Sequence, residues 1–458
     1  MYDFTVKDAL SACGGTLCGE CALSAPLGEV VIDSRAVRPG DVFVAYRGER
    51  TDGHNYITAA LDRGAACCLA ERVPEGEGRG VIVVDDVQSA LEAIVRAYRE
   101  KFNIPVVGVT GSVGKTTAKE MIWAVLSRRM NTLKTEGNLN NQIGVPMTLS
   151  RLTPAHEAAV VEMGISGFGE MRVLASMARP TVAVFTGIGH AHLEFLHDLD
   201  GVFRAKTEMI DFLPPDGTVI INGDDAKLRD LRCRRRVISY GLGAHCDVRA
   251  ENIRFDGEEG AACDIIGFDR RIAARIPAYG QHMVYAALEG AAVGFLMGLT
   301  DEEIASGVAA FHTVGRRGAV TDTGYITLID DCYNANPDSM RCAVDSLMAL
   351  PGRHVCVFSD MREMGDASPL LHRELGEYAL ERGVDFVMAY GPMSRCLTAA
   401  MGARARHFET REELIAALPQ YVRRGDNVLV KASLGMHLEP AAEALKLLGS
   451  AAQYGGGI

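Results

Sequence analysis

The sequence has no excess of positive charge. Its 458 residues include 47 lysines and arginines against 59 aspartates and glutamates, which gives a net charge of −12 at pH 7. Nucleic acids and anionic membranes are bound by basic surfaces, so this balance argues against generic binding to either. We therefore expect no nucleic-acid partner. A small anionic ligand stays compatible with the composition if backbone amides and a few cations bind it.

The sequence also lacks a long apolar run and a recognisable targeting segment. The most apolar stretch, 286–299, contains Glu289 and three glycines, and it is shorter than the ~20 residues that a membrane-spanning helix requires. The amino-terminal sequence MYDFTVKDAL has no basic region followed by an apolar segment, as a signal peptide would have. We expect a cytoplasmic protein without a membrane span.

A complete set of metal-binding cysteines and histidines is missing as well. The chain has 12 cysteines, and the densest group is formed by Cys13, Cys18 and Cys21, the last two in a C-x-x-C pattern. No second C-x-x-C pair or nearby histidine supplies the remaining ligands of a zinc site. Free thiols, the usual state in a cytoplasmic chain of this size, are therefore expected.

The chain divides into three α/β blocks, as its length also suggests. Residues 1–100 predict a small mixed α/β domain with the short strands VVIDS, DVFVAY, AACCLA and GVIVV. Residues 101–313 alternate apolar strands with helical lengths, which is typical of a mostly parallel sheet covered on both faces. Residues 314–458 alternate in the same way and predict a doubly wound, Rossmann-like domain. The strands predicted for the second and third blocks are 105–109, 158–164, 181–187, 218–223, 326–331, 354–360, 385–390 and 427–432.

The stretch GVTGSVGKTT, residues 108–117, predicts a phosphate-binding loop. It follows an apolar strand and precedes a predicted helix, where glycines let backbone amides surround phosphate oxygens and the helix dipole favours an anion. Its spacing differs from the usual G-x-x-x-x-G-K-[ST] template, which would put the first glycine at Val109. In this context Lys115 suits the terminal phosphates and Thr116 suits magnesium. The residues predicted to bind nucleotide are Gly111, Ser112, Gly114, Lys115, Thr116 and Thr117.

Polar side chains follow two neighbouring strands of the second block. Glu162 ends the strand in VVEMG, and His192 and Glu194 follow another strand, in GIGHAHLEF. The carboxyl ends of parallel strands share one edge of a sheet with the phosphate loop, so these groups are candidates to hold one or two magnesium ions.

A loop rich in asparagine, TEGNLNNQIGVP, lies between these features. Asn138, Asn140 and Asn141 could bind an acceptor carboxylate or a phosphoryl group, because amides donate and accept hydrogen bonds without charge. An ordinary asparagine-rich loop explains the pattern equally well. By pattern alone, Lys206 is a lysine on a helix surface.

The third block carries a second group of polar residues, in IDDCYNANPDSM. Asp330 and Asp331 end a predicted strand, and Tyr333, Asn334 and Asn336 follow. SDMREMGD (359–366) and VKASLG (430–435) occupy equivalent strand ends. Ligands of doubly wound domains bind at this edge, so we predict a second substrate there.

With these motifs, the sequence resembles the Mur ligase family over essentially its whole length. The glycine loop matches that family's G-x-x-G-K-T form, with Gly111, Gly114, Lys115 and Thr116. The form YNANPDSM is similar to the dipeptide-adding members rather than to the members that add one amino acid. The further matching motifs are DSR…PGDVFVAYRGERTDGH (33–54), GNLNNQIGVP (137–146), EMGISGFGE (162–170), HLE (192–194) and DDCYNANPDSM (330–340).

The resemblance implies a role for each matching residue. Lys115 and Thr116 would bind ATP phosphates, and magnesium would be held by Thr116, Glu162 and His192. Lys206 matches a lysine that is carbamylated in the family and binds a second magnesium, which replaces its interpretation as a surface residue. Ser34 and Arg35 would contact the uridine diphosphate end of the substrate, and His282 would lie on the adenine side. Arg316 would stand at the hinge to the third domain. The residues that would face the nucleotide and the incoming dipeptide are Asp331, Tyr333, Asn334 and Asn336.

The resemblance further implies an ATP-driven amide ligation. The γ-phosphoryl group of ATP would pass to the terminal carboxylate of UDP-N-acetylmuramoyl-tripeptide, and the amine of D-alanyl-D-alanine would then attack the acyl phosphate. This activity belongs to peptidoglycan synthesis, and with it to cell wall biogenesis, cell shape, the cell cycle and cell division. We expect the enzyme to act as a monomer.

Two other interpretations stay open. The chain could be a ligase that adds a single amino acid, or one similar to folylpolyglutamate synthetase, although YNANPDSM and the DSR motif argue against both. It could also be a nucleotide-binding relative without catalytic activity, which only the altered motifs QHMVY (281–285) and KASLG (431–435) support.

Overall fold

The computed structural model describes residues 1–48, 51–255, 260–313 and 315–454, and side chains as far as residue 448. Three parts of the sequence predictions lie outside the described residues. They are Glu49 and Arg50 of the 33–54 motif, Val314 at the predicted start of the third domain, and the glycines at 455–457.

Residues 1–100 contain a five-stranded sheet of order β1-β5-β4-β3-β2, in which only the β1–β5 pair is antiparallel. The four predicted strands are confirmed. The fifth, β1, is three residues long and only partly buried, so it has no apolar run to reveal it. The strands are β1 Thr16–Cys18, β2 Val30–Val31, β3 Val42–Val44, β4 Cys67–Ala70 and β5 Val81–Val83, and the helices are α1 Val6–Cys13, α2 Ile57–Asp62 and α3 Val87–Arg99.

The last helix of this unit joins it to the next. Asp86 caps α3 by accepting a hydrogen bond from the Ser89 N–H at 2.6 Å, as is typical of a helix start. The buried Tyr98 near its end donates to the Leu152 carbonyl at 2.5 Å. This buried bond ties α3 to the segment that precedes β8 of the central sheet.

The central sheet has nine strands in the order β14-β13-β12-β11-β10-β9-β6-β8-β7. The seven strands from β12 to β7 are parallel, and β12, β13 and β14 pair antiparallel. The strands are β6 Val106–Thr110, β7 Thr132–Lys134, β8 Ala158–Glu162, β9 Val182–Phe185, β10 Thr218–Asn222, β11 Arg236–Gly241, β12 Val248–Phe255, β13 Ala261–Gly267 and β14 Arg270–Ile276. The helices are α4 Lys115–Leu126, α5 Gly144–Leu149, α6 Glu170–Ala178, α7 Leu193–Leu196, α8 Leu199–Thr207, α9 Ala226–Arg229, α10 Gln281–Leu296 and α11 Asp301–Ala309.

The four predicted strands of this block are confirmed, whereas β7, β11 and the antiparallel extension were not predicted. Its strands β13 and β14 alternate buried and more exposed residues, because one face of an antiparallel sheet can meet solvent. Such alternation lacks the continuous apolar run by which β6, β8 and β9 are recognised.

Residues 319–454 form the third unit, a six-stranded sheet of order β15-β16-β20-β17-β18-β19 in which only the β15–β16 pair is antiparallel. The doubly wound prediction is confirmed, with two edge strands added. The strands are β15 Ala319–Asp322, β16 Thr327–Asp331, β17 His354–Ser359, β18 Phe386–Tyr390, β19 Ala405–Phe408 and β20 Asn427–Lys431, and the helices are α12 Pro337–Met348, α13 Ser368–Arg382, α14 Ser394–Met401, α15 Arg411–Tyr421 and α16 Glu439–Tyr454. One sheet falls within each predicted domain, and the exact domain boundaries stay a prediction.

Most of the most apolar stretch, residues 286–296, lies in α10, which packs against α4 on one face of the central sheet. Its one charged residue, Glu289, is 4% exposed, and a carboxylate oxygen lies 2.5 Å from the Tyr240 hydroxyl. Burial raises the pKa of Glu289 to about 8, so the side chain is mostly protonated at neutral pH. No described helix is both long and apolar enough to cross a lipid bilayer.

We expect Glu289→Gln to change how the stability of the protein depends on pH. The folded pKa of Glu289, about 8, exceeds the ordinary value of 4.5, so the folded state binds one more proton between these values. Unfolding free energy therefore falls as pH rises through this window, by at most about 5 kcal/mol. Glutamine keeps the contact to Tyr240 and removes the titration.

Thermal unfolding midpoints measured between pH 5 and 9 check this expectation. The wild type should lose stability more steeply with rising pH than Glu289→Gln, and the exposed Glu302→Gln should follow the wild type. Parallel curves for all three proteins would contradict the assignment.

Candidate active site

The glycine loop connects β6 to α4 and takes a shape that requires glycine at two positions. Gly111 has φ +154, and a Cβ there would lie 1.9 Å from the Thr186 hydroxyl oxygen. Gly114 precedes α4 with φ +85, in the left-handed region that favours glycine. Gly108 lies inside β6 and is not part of the loop. The unusual spacing of the motif therefore follows from the turn itself.

Side chains of the loop are held by its own backbone and by the segment after β9. The Lys115 ammonium donates to the Gly111 carbonyl at 2.8 Å. The Ser112 hydroxyl donates to the Gly189 carbonyl at 3.0 Å, and the Ser112 N–H donates to the Gly187 carbonyl at 2.9 Å. Ser112 therefore fixes the loop to the segment after β9. Thr117 lines a small cleft next to Arg317.

A buried carboxylate lies beneath the loop. Glu162 is 1% exposed, and its oxygens accept hydrogen bonds from the Thr116 hydroxyl at 2.9 and 3.0 Å and from the Asn140 amide at 2.7 Å. The Lys119 ammonium is 3.9 Å from one of these oxygens. Carboxylate and hydroxyl oxygens are the ligands that magnesium prefers, so Thr116 and Glu162 fit that ion.

Lys206 is completely buried in α8. Its Nζ has no hydrogen-bond partner among the described residues. Burial, together with the positive charge of Lys115, holds the pKa of Lys206 well below its ordinary value. Since an unpaired buried charge is unfavourable, this environment favours the neutral amine, which has a free lone pair. The prediction of a helix-surface lysine from pattern alone is therefore wrong.

The loop after β9 points its two histidines at the third unit. His192 Nδ1 is 2.5 Å from the Glu363 carboxylate, and this hydrogen bond lowers the pKa of Glu363. His190 Nδ1 is 3.2 Å from the Asp338 carboxylate, which also accepts the His190 N–H at 2.6 Å. His192 thus contacts Glu363, and no described contact joins it to Glu162. The Glu194 side chain is exposed.

The predicted residues of the third unit meet at the carboxyl edge of its sheet. Asp331 lies 2.5 Å from the buried Lys431 ammonium, which also donates to the Asn334 carbonyl at 2.9 Å. Asn336 caps α12 by accepting from the Ser339 N–H at 2.8 Å. Its amide nitrogen lies 3.5 Å from the Ser112 carbonyl. This edge therefore faces the glycine loop.

Two consecutive arginines have different surroundings. Arg316 pairs with Asp330 at 3.1 Å and with Glu443 at 2.5 Å, which anchors it within the third unit. The Arg317 guanidinium lies 3.8 Å from the centre of the Tyr333 ring and lines the cleft beside Thr117. Arg317 is thus the better placed of the two for a phosphate.

The remaining predicted residues have other surroundings. Ser34 and Arg35 form a short 3₁₀ turn that Asp33 caps, and the Arg35 guanidinium, 84% exposed, pairs with Asp33 at 2.8 Å. Asn138 is exposed. Surrounding protein lowers the pKa of His282, and the charges of Asp331 and Lys431 act on its ring, so His282 lies near the carboxyl edge of the third sheet. The side-chain oxygen of Asn141 accepts hydrogen bonds from the backbone N–H groups of Ile143 and Gly144, at the start of α5.

Sequence reasoning missed several residues of the site. His190 stands two residues before His192 in GHAHLE, and Asp338 lies within YNANPDSM, so both motifs contained a signal. Nothing in the sequence indicates that these two residues pair across 148 positions. Lys119 and Arg317 have no distinguishing pattern.

We expect Asp338→Asn to lower the pKa of His190. The hydrogen bond that the His190 ring donates to the Asp338 carboxylate raises that pKa above its ordinary value of 6.5. The contact is therefore fully present below pH 6.5 and weakens as pH rises through the raised pKa. NMR titration of the histidine ring signals checks this. Asp345→Asn, on the same helix but bonded to Tyr378, is the matched control and should leave His190 unchanged.

Comparison with known families gives three adjoining matches. Residues 27–110 match the Mur ligase family catalytic domain, residues 109–294 the Mur ligase middle domain, and residues 315–434 the Mur ligase glutamate ligase domain. The UDP-N-acetylmuramoyl-tripeptide–D-alanyl-D-alanine ligase of Bacillus subtilis is 35% identical, covering 97% of this chain and 99% of that protein.

Solved structures show the same likeness. The chain is similar to a crystal structure of MurF from Acinetobacter baumannii, with a TM-score of 0.88, 31% identity, and coverage of 97% and 98% of the two chains. It is also similar to MurF ligase from Thermotoga maritima in complex with ADP, with a TM-score of 0.82, 29% identity, and coverage of 92% and 97%. From the described site, the three family matches and these relatives, we conclude that the chain belongs to the Mur ligase family.

Proposed function

We propose that this protein uses ATP to join D-alanyl-D-alanine to UDP-N-acetylmuramoyl-tripeptide through an acyl-phosphate intermediate, in peptidoglycan precursor synthesis. The observation that carries the proposal is the buried contact of Thr116 with Glu162 beneath a glycine loop whose Lys115 lies near the buried Lys206. The name of the Bacillus subtilis relative supplies the substrates.

The glycine loop is the proposed site of the ATP phosphates. Lys115 donates a hydrogen bond to the Gly111 carbonyl. Its ammonium would leave this carbonyl and bind the phosphates that enter the loop. Thr116 and Glu162 would hold magnesium, which neutralises charge on the phosphates when bound. His192 would bind the magnesium ion only after its hydrogen bond to Glu363 breaks, so its role as a metal ligand requires a rearrangement of that contact.

Lys206 is the proposed site of carbamylation. The Nζ lone pair attacks the carbon of CO₂ and a C–N bond forms, while one C=O π bond breaks and its electron pair goes to oxygen; the nitrogen then loses a proton to solvent, which leaves a carbamate anion. The negative charge of the carbamate would lie near the positive charge of Lys115, at a buried position where the amine has no hydrogen-bond partner among the described residues. A neutral lysine is the reactive form, and burial favours that form by lowering the pKa of Lys206.

The third unit would bring the dipeptide to the phosphate loop. Asp331 and Lys431 stand as a buried ion pair at the sheet edge, and Tyr333 lies against Arg317. These charged and aromatic groups suit a zwitterionic dipeptide. The contact of His190 with Asp338 would then hold this edge beside the glycine loop.

The first unit would bind the uridine diphosphate end of the substrate. Arg35 is exposed, so its guanidinium can meet a diphosphate, although it must then exchange its pairing with Asp33. Asn138, Asn140 and Asn141 would contact the acceptor side. We further propose that the enzyme is a cytoplasmic monomer, consistent with its substrates.

We expect phosphate release to depend on D-alanyl-D-alanine. With ATP, magnesium and UDP-N-acetylmuramoyl-tripeptide, the dipeptide should support turnover about 100-fold faster than any single amino acid, because the acceptor site must bind both residues. A coupled phosphate assay measures this. Faster turnover with one amino acid, or with a folate acceptor and glutamate, would overturn the substrate assignment, and no turnover with any acceptor would favour a non-catalytic role.

We expect Lys206→Ala to lower ligation by about 100-fold or more, since a charged group at the reacting centre is lost. ATP binding, measured by calorimetry, should largely survive. The exposed Lys227→Ala, which removes a pairing with Asp200, should retain activity. A carbamate carbon signal from ¹³C-labelled bicarbonate should occur in the wild type and be absent in Lys206→Ala. Normal turnover in Lys206→Ala would exclude the carbamate.

A further inference from the structure

A second group of metal-binding side chains lies in the central unit, outside the phosphate site. Asp224 follows β10, and His245 and Cys246 lie in the turn between β11 and β12. One ligand atom from each lies within 4.8 Å of the others. In a tetrahedral zinc site such atoms stand roughly 3.3–3.8 Å apart, so side-chain shifts of about 1 to 1.5 Å would bring the three onto one ion.

The backbone closes tightly around these side chains. A Cβ on Gly241 would lie 2.5 Å from an Asp224 carboxylate oxygen and 2.9 Å from the Cys246 sulfur. A Cβ on Gly243 would lie 2.3 Å from the His245 ring. Larger residues at these two positions would push the three ligand groups out of place.

The ligand groups already have the outer hydrogen bonds that orient metal ligands. Asp224 accepts from the Leu242 N–H at 2.6 Å, the Gly243 N–H at 3.1 Å and the Tyr285 hydroxyl at 2.9 Å. His245 Nε2 lies 3.0 Å from the Gly223 carbonyl. Metal-bound histidines commonly donate one ring N–H to such a carbonyl. If Nε2 donates to this carbonyl, Nδ1 keeps a lone pair for an ion, whereas Nε2 itself lies 4.0 Å from the Asp224 carboxylate.

An open cavity gives access to the cluster. It has a volume of about 380 Å³ and is lined by His245 together with Gly223, Cys233, Ser239 and Asp247. Of the three ligand residues only His245 lines the cavity, so water would reach the ion past His245 and supply a fourth ligand. Asp247 brings negative charge to the lining, while Arg229 and Arg232 bring positive charge, so the attraction for a cation comes from the ligand groups themselves.

We propose that Asp224, His245 and Cys246 form a transition-metal site for Zn²⁺, with a water molecule as fourth ligand. Thiolate with imidazole selects zinc over magnesium, which prefers oxygen ligands. When the ion binds, a metal–sulfur bond forms and the Cys246 thiol releases its proton to solvent. The site is separate from the candidate active site, which contains no cysteine among the residues described for it.

The site would join two segments that support the loop after β9. Asp225, next to Asp224, accepts from the Ile188 N–H at 2.7 Å, and Asn222 donates to the Thr186 carbonyl at 3.2 Å. These bonds hold the beginning of the loop that carries His190 and His192. A bound ion would therefore stabilise the support of that loop by linking the end of β10 to the β11–β12 turn.

Titration of the metal-free full-length protein with Co²⁺, a spectroscopic substitute for zinc, tests the proposal. We expect one equivalent to produce a thiolate-to-cobalt charge-transfer band, and stoichiometric Zn²⁺ to displace it. Cobalt bound at the magnesium ligands gives no such band, because those ligands contain no sulfur. Cys246→Ser should lose the band, and His245→Asn should weaken Co²⁺ binding by at least about tenfold.

Matched variants distinguish this site from other thiols. Cys233→Ser, which changes the same cavity without removing a ligand, and Cys263→Ser, in β13, should keep the band and the affinity. Circular dichroism and thermal unfolding identify any variant that fails to fold. If Cys246→Ser does not fold, the test rests on His245→Asn, because His245 is half-exposed. No band at one equivalent of Co²⁺, or a band that persists in Cys246→Ser or is unweakened in His245→Asn, would overturn the proposal.

Discussion

The buried carboxylate of Glu162 connects three separate segments of the candidate active site. It ends β8, and it accepts hydrogen bonds from Thr116 in the first turn of α4 and from Asn140 in the asparagine-rich loop. A buried carboxylate is unfavourable unless it is bonded and close to positive charge, and Lys119 supplies that charge at 3.9 Å. The phosphate loop, the strand end and the asparagine loop are therefore positioned together.

The order of the central sheet explains why the remaining groups meet at the same place. β6 lies between β8 and β9, so the segments that follow these three parallel strands leave from one edge. The segment after β9 carries His190 and His192 to Asp338 and Glu363 of the third unit. These contacts bring a second sheet edge, that of the strand ending at Asp331, beside the phosphate loop.

Lys206 shows how a residue can be misread from its neighbours in sequence. In FRAKTEMI it has the pattern of an exposed helical lysine, yet it is completely buried with no partner for its amine among the described residues. Only the family resemblance drew attention to it. The prediction of an exposed lysine was wrong because the burial of Lys206 depends on which other elements pack over α8. The sequence of the helix alone does not contain that information.

The sequence by itself determined the glycine loop, the apolar strands on both sides of it and the three-part α/β organisation, because these depend on local backbone shape and on continuous apolar runs. It could also place Glu162 and Asp331 at strand ends. The tertiary structure decided which side chains meet. The pairing of His190 with Asp338 and the gathering of Asp224 with Cys246 join residues distant in the chain, and no local pattern records such contacts. The same reason applies to the lowered pKa of Lys206, which comes from burial among side chains supplied by other elements.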